Sequence, residues 1–147
     1  MIVLQSAPFD PGALLSAFTA KQNGAGAVVS FTGLTRDEGG ELTALEIECY
    51  PGMTEKALEE IGKEAIIRFD LLDYLILHRH GRLTAPEPIM MVATAARHRK
   101  SAFEAADFLM DYLKSRAPFW KKEWRGEASS WVAAKEEDEA ALKAWSP

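Results

Sequence analysis

Apolar and polar positions along this chain repeat at two periods, and the sharpest change between them falls within Ser101 to Arg125. Phe103, Ala106, Met110 and Leu113 recur at the three- and four-residue spacing of a helix with one apolar stripe. Ser101 followed by Glu104 has the form of a capping box, which predicts the helix start. Pro118 ends the helix, because proline disfavours helical geometry in Ala117 and has no N–H to donate. From Phe119 to Arg125 the period drops to two, with Phe119, Lys121, Glu123 and Arg125 on one side and Trp120, Lys122 and Trp124 on the other. The stretch therefore predicts a helix, a proline corner and a strand, with Lys114 in the last helical turn and Lys121 early in the strand. Such a corner can bring two ammonium groups toward one cleft, where an unbroken helix would space them along a rod.

The remaining pattern is read in the same way. Ile2 to Gln5 is a short apolar strand. Asp10-Pro11 predicts a helix start, with a capping carboxylate before a proline at the first helical position, and Leu14, Leu15 and Phe18 form its buried face. Gly24 and Gly26 precede an alternating strand, Ala27 to Thr32. Gly39-Gly40 supplies turn chemistry before a second strand, Thr43 to Cys49, so this pair is expected to form a β-hairpin with Arg36 and Asp37 on its connection. After the Tyr50–Met53 turn, Thr54 to Phe69 reads as a helix with Leu58, Ile61, Ala65 and Phe69 in register, and Glu55 suits the positive end of its dipole. Tyr74 to His80 is a strand ended by Gly81. Ala85 to Pro88 is a rigid turn, and Ile89 to Ala95 is a further strand. A short strand around Trp131 and an acidic helix from Lys135 to Trp145 close the chain. Helices separated by hairpin-capable strands predict an α+β fold with a mostly antiparallel sheet. No repeat or linker interrupts the 147 residues, so one domain spanning 1–147 is expected.

Composition narrows the function classes. With 48% hydrophobic and 27% charged residues the chain has an ordinary globular balance. It has no membrane-length apolar run and no signal-peptide pattern at Met1 to Asp10. The single cysteine, Cys49, excludes a disulfide within one chain and points to a reducing cytoplasm. The net charge of −5 conceals an asymmetry: Arg97 to Arg125 carries eight Lys or Arg against four acids, which leaves −9 on the remainder. That argues against duplex nucleic acid and for a small anion or an acidic tail as the ligand of the basic segment.

Lys114 and Lys121 read either as solvated surface lysines or as amines whose pKa is lowered by crowded cations and apolar neighbours, toward the range where a neutral amine acts as base or nucleophile. Arg97-His98-Arg99-Lys100 is either a solvated basic turn or an anion site at a helix start. Arg36 could reach the same anion or pair with Asp37 or Glu38. His78 and His80 share a strand face, but nothing fixes a third ligand beyond the conceivable Cys49 and His98, so no metal is assigned. Cys49 has no His-plus-acid arrangement to activate it and reads as a buried strand cysteine. Gly24-Ala-Gly26 precedes a strand where a dinucleotide fingerprint needs a helix. Trp120, Trp124 and Trp131 read as core or interface packing.

The blocks VVSFTGLTR (28–36), YPGMTEKAL (50–58), HRHG (78–81), ARHRKSAFEA (96–105) and MDYLKSRAPFWKKE (110–123) resemble the large, catalytic subunit of molybdopterin synthase. They occur in that family's order and span nearly the whole chain. The resemblance implies an α/β hammerhead fold and a homodimer that carries two copies of a small ubiquitin-like sulfur-carrier subunit, a heterotetramer in all. It implies that the carrier's Gly-Gly C-terminus, activated as a thiocarboxylate, enters a pocket and gives sulfur to cyclic pyranopterin monophosphate. Two such transfers build the dithiolene of molybdopterin, and no cofactor is required.

Position by position, Lys114 and Lys121 fall on the family's active-site lysines, with Lys114 expected in proton transfer or transient covalent attachment and Lys121 in orienting the thiocarboxylate. Arg36, His98 and Arg99 fall on its anion-binding positions, and Phe31 and Met110 on apolar pocket positions. Lys135 stands where an arginine often sits, which in the dimer is expected to reach the neighbouring subunit's site. Two features depart from the pattern: the loop Asp37 to Leu42 is short and acidic, and Cys49 replaces a histidine before the Tyr-Pro-Gly-Met turn. The competing reading is a non-catalytic module that binds a ubiquitin-like tail or a small anion.

Overall fold

The computed structural model describes residues 1–36, 40, 42–84, 86–132 and 135–146. The elements run β1 (Ile2–Gln5), α1 (Pro11–Ala20), β2 (Ala27–Leu34), β3 (Ala44–Cys49), α2 (Met53–Phe69) and β4 (Leu71–Arg79). They continue with β5 (Gly81–Leu83), β6 (Pro88–Ala96), α3 (Arg99–Ser115), β7 (Phe119–Arg125), β8 (Ala128–Trp131) and α4 (Glu136–Lys143). Two four-stranded sheets result, ordered β1-β4-β6-β2 and β5-β3-β7-β8, with β1–β4 as the parallel pair and every other ladder antiparallel. This is the expected α+β class.

The first sheet is covered on both faces, and its central strands β4 and β6 are accordingly buried almost throughout. Leu75 and Leu77 point to one side, where α1 packs through Phe18, Leu14 and Leu15. Asp10 caps α1 as expected, its Oδ1 accepting from the Ala13 N–H at 3.1 Å. Tyr74 and Ile76 alternate to the other side, against Leu58, Ile61, Ala65 and Phe69 of α2 and Ala102, Ala105 and Leu109 of α3. Ile47 and Leu83 of the second sheet join that cluster, so the two sheets share one core.

The expected hairpin between Ala27–Thr32 and Thr43–Cys49 does not form. β2 pairs with β6 in the first sheet, Ala27 opposite Ala96 and Gly33 opposite Met90, while β3 pairs with β5 and β7 in the second. The reason is burial. Val28 packs on the α1 side and Val29 on the α2–α3 side, so β2 needs a sheet covered on both faces. β3 alternates Glu46 and Glu48 with the buried Ile47, the pattern of a sheet with one solvated face. The turn at Gly39-Gly40, the pairing of Arg36 with Asp37 or Glu38, and the start of the Ala85–Pro88 turn fall on residues 37–39, 41 and 85, outside the described residues.

The start of α3 also differs. The helix begins at Arg99 with His98 as an extended N-cap and no side-chain cap, which places Ser101 inside the first turn. The buried Thr94 hydroxyl donates to the Ala102 carbonyl at 2.8 Å and fastens this turn to β6. The stripe against the sheet is Ala102, Ala105, Leu109 and Leu113, whose small members let the helix approach closely, and Phe103 is 61% exposed. Trp120, Trp124 and Trp131 are not core residues. Trp120 and Trp131 lie exposed on the outer face of the second sheet, and Trp124 is half-buried there with its indole N–H donating to Glu46 at 3.2 Å.

Candidate active site

α3 ends at Ser115, where the N–H groups of Arg116 and Ala117 both donate to the Tyr112 carbonyl at 2.8 and 3.1 Å. Pro118 follows, and its carbonyl accepts from the buried Thr54 hydroxyl at 3.1 Å, so the first turn of α2 fixes the corner. The chain leaves as β7, in which Lys121 lies opposite the buried Ile47 and on the same inner face. Lys114 and Lys121 thereby line one cleft of about 350 Å³, together with Phe31, Arg36, His78 and Met110. Ile89, Met90 and Leu113 complete its apolar wall. That volume falls in the range of about 300–1,000 Å³ found for small-molecule sites.

The two amines are not equivalent. Lys114 is exposed, whereas Lys121 is turned toward the core. Burial, reinforced by the Lys114 charge and partly opposed by Asp138, lowers the Lys121 pKa from 10.5 to about 8. Protonated and neutral forms are therefore both populated near neutral pH. A second hollow of about 170 Å³ adjoins the cleft, sharing Lys114 and Lys121 and adding Lys135 and Asp138 from the chain entering α4. Lys135 thus stands beside the lysine pair of its own protomer.

His78 belongs to the same cleft. It follows Tyr74 and Ile76 on the inner face of β4, is 3% exposed and stacks on Phe119 with ring centroids 3.9 Å apart. Its Nδ1 lies 2.8 Å from the Arg79 carbonyl, which can only accept, so Nδ1 carries the hydrogen and Nε2 the lone pair. Burial outweighs the opposing effect of that bond and, with the charges of Lys121 and Lys114, brings the His78 pKa down to about 3. Among the described residues, no group of three or more His, Cys, Asp or Glu is placed to hold a metal ion. Cys49, partly buried opposite Phe119, has its thiol pKa pushed up by burial and by Glu55, which disfavours the nucleophilic thiolate.

Of the residues picked from the sequence, the structure brings Phe31, Arg36, Met110, Lys114 and Lys121 together. It does not bring His98 and Arg99 to them. These exposed residues stand at the opposite end of α3, about 22 Å from Lys114 at 1.5 Å per residue. Neighbouring Arg97 is paired with Asp70 at 3.1 Å. Sequence reasoning missed the cleft role of His78 and the influence of Asp138. The alternation of β4 carried a signal for the first, since it puts His78 on the face of Ile76; nothing local signals the second.

A family model described as MoaE protein matches residues 4–116. The molybdopterin synthase catalytic subunit of Cereibacter sphaeroides is 60% identical over 144 residues, covering 98% of this chain and 99% of its own. Among solved structures, the molybdopterin biosynthesis MoaE protein from Burkholderia ambifaria is similar at a TM-score of 0.85 and 47% identity, across 99% of this chain and 97% of that one. The molybdopterin synthase of Staphylococcus aureus is similar at a TM-score of 0.78 and 30% identity, across 90% and 95% of the two chains. No described helix is long and apolar enough to cross a membrane.

Proposed function

The chain belongs to the MoaE protein family, and on that premise we propose that it is the catalytic subunit of a molybdopterin synthase, a sulfurtransferase that converts cyclic pyranopterin monophosphate to molybdopterin. The whole chain serves as one catalytic domain, and its single cysteine suits the cytoplasm. The observation that carries this reading is the convergence of Lys114, Lys121 and Arg36 on one partly apolar cleft. Both reactants implied by the family are anionic, one through a phosphate and the other through the C-terminal thiocarboxylate of a small ubiquitin-like carrier. Three cations around Phe31 and Met110 suit an anion attached to a flat ring.

In the reaction, the thiocarboxylate sulfur forms a bond to an oxygen-bearing side-chain carbon of the pterin as a carbon–oxygen bond there opens, its electron pair passing to the oxygen, which takes up a proton. Water then cleaves the resulting acyl–sulfur bond and releases the carrier as a carboxylate, and loss of water installs the dithiolene double bond. Each step moves a proton or develops charge on an oxygen. Lys121, mostly withdrawn from solvent and titrating at about 8, suits the proton transfers. Lys114, on the exposed side, suits the incoming tail and the oxyanion that forms at its carbonyl. This division reverses the one drawn from the sequence, because the two side chains differ in burial.

His98 and Arg99 are too far along α3 to serve the cleft of their own protomer, so in this reading they serve that of a second copy. The exposed Phe103 beside them offers apolar surface for such a contact. The assembly is then a homodimer with two carriers. The test mixes the protein with a thiocarboxylated carrier and cyclic pyranopterin monophosphate and assays for dithiolene. Product is expected. Binding of the carrier tail with no product would replace the enzyme by a non-catalytic binding module.

A further inference from the structure

We infer that His78 is a specificity-determining residue of the cleft, whose Nε2 accepts a hydrogen bond from a ring N–H of the bound pterin; the inference rests on the reading of the cleft as a pterin site. The charged side chains of the cleft, Arg36, Lys114 and Lys121, carry N–H donors and no acceptor atom of their own. They suit the anionic parts of a substrate and repel nothing that lacks a charge. A pterin ring also carries N–H groups, and these lose free energy wherever binding strips their water unless an acceptor meets them. The Thr32 hydroxyl on the cleft wall both donates and accepts, so it discriminates poorly.

The His78 ring is built differently. Its Nδ1–H is committed to the Arg79 carbonyl at 2.8 Å, and its face is held against Phe119. Nε2 is the ring's remaining polar atom, and the residue lines the cleft. The ring is 3% exposed with two ammonium groups nearby, and among the described residues no carboxylate stabilises an imidazolium, so Nε2 keeps its lone pair and only accepts. A fixed acceptor-only atom among cations rejects a ring that offers no N–H there. Buried groups left unpaired in this way make hydrogen-bonded sites selective.

Two measurements test this. In kinetics, His78→Leu should raise KM for the pterin by about tenfold or more with a smaller change in kcat, and leave carrier affinity unchanged. His78→Gln, which keeps an acceptor near the Nε2 position, should recover most of the loss. The second uses the unaltered protein, whose three histidines make nitrogen NMR assignment simple. Adding cyclic pyranopterin monophosphate alone should shift the unprotonated Nε2 resonance of His78 upfield, and adding the carrier alone should not. A folded His78→Leu protein with unchanged pterin KM, or a pterin-saturated protein whose Nε2 resonance stays in place, would overturn the assignment while leaving the enzyme reading intact. Absence of any dithiolene product from the unaltered protein would overturn both.

Discussion

Lys114 and Lys121 line the same cleft, and the charge of Lys114 is, after burial, the second cause that holds the Lys121 amine down at about 8. Removing that charge should let the pKa climb. In Lys114→Met protein, an NMR titration of the Lys121 side chain should give a higher midpoint than in the parent. Asp138→Asn should move it the other way, since Asp138 favours the protonated form.

If Lys121 handles protons, kcat/KM should rise with pH through a midpoint near 8, as the neutral amine becomes the major form. Lys121→Arg keeps the positive charge but cannot lose it at these pH values. It should lower the rate by about 10²- to 10⁴-fold, the usual range for a lost acid–base group. A Lys121→Arg protein with near-parental turnover would remove the proton-transfer role.

The same depressed pKa links Lys121 to stability. Between about 8 and 10.5 the unfolded chain holds a proton on this lysine that the folded chain has lost. Stability should therefore rise with pH across that window, and the benefit is lost as pH falls through 8. Lys121→Met should flatten this part of the curve and melt higher than the parent at pH 7, as chemical denaturation at several pH values would show.

His78 acts at the acidic end. Its folded pKa of about 3 lies below the ordinary 6.5, so its contribution is complete above 6.5 and is lost as pH falls toward 3. The melting temperature of the parent, relative to that of His78→Gln, should decline over that interval. Taking the difference between the two proteins cancels the carboxylates they share.

Gly62 lies buried in α2, where a Cβ would collide with the ring of Tyr74 on β4. Alanine improves helix propensity by about 1 kcal/mol, but overpacking of this kind costs about 1–3 kcal/mol. Gly62→Ala should thus lower stability on balance, and adding Tyr74→Leu should restore part of it in urea titrations.

Mixing tests the contribution of a second copy. Lys121→Ala and Arg99→Ala proteins should each be nearly inactive. If Arg99 serves the neighbour's cleft, a mixed dimer has one intact site, and an equal mixture should recover about a quarter of parental activity by random pairing. No recovery, despite exchange of subunits, would return Arg99 to its own protomer.

The sequence by itself determined the elements and the local bend. Pro118 ends α3 and starts β7 within a few residues, and Leu58, Ile61, Ala65 and Phe69 define the buried face of α2, because backbone chemistry and period are properties of neighbours. The lysine pair was legible for the same reason: Lys114 and Lys121 are seven positions apart across a single corner. Tertiary structure alone decided which strands pair, since β2 and β3 sort by how many of their faces other elements cover, and a Gly-Gly turn cannot report that. It also decided that Lys121 is the withdrawn amine, that His78 faces the cleft, and that His98 and Arg99 stand a helix length away. Solvent exclusion and pKa depend on which distant segments pack against a group, and no local pattern carries that information.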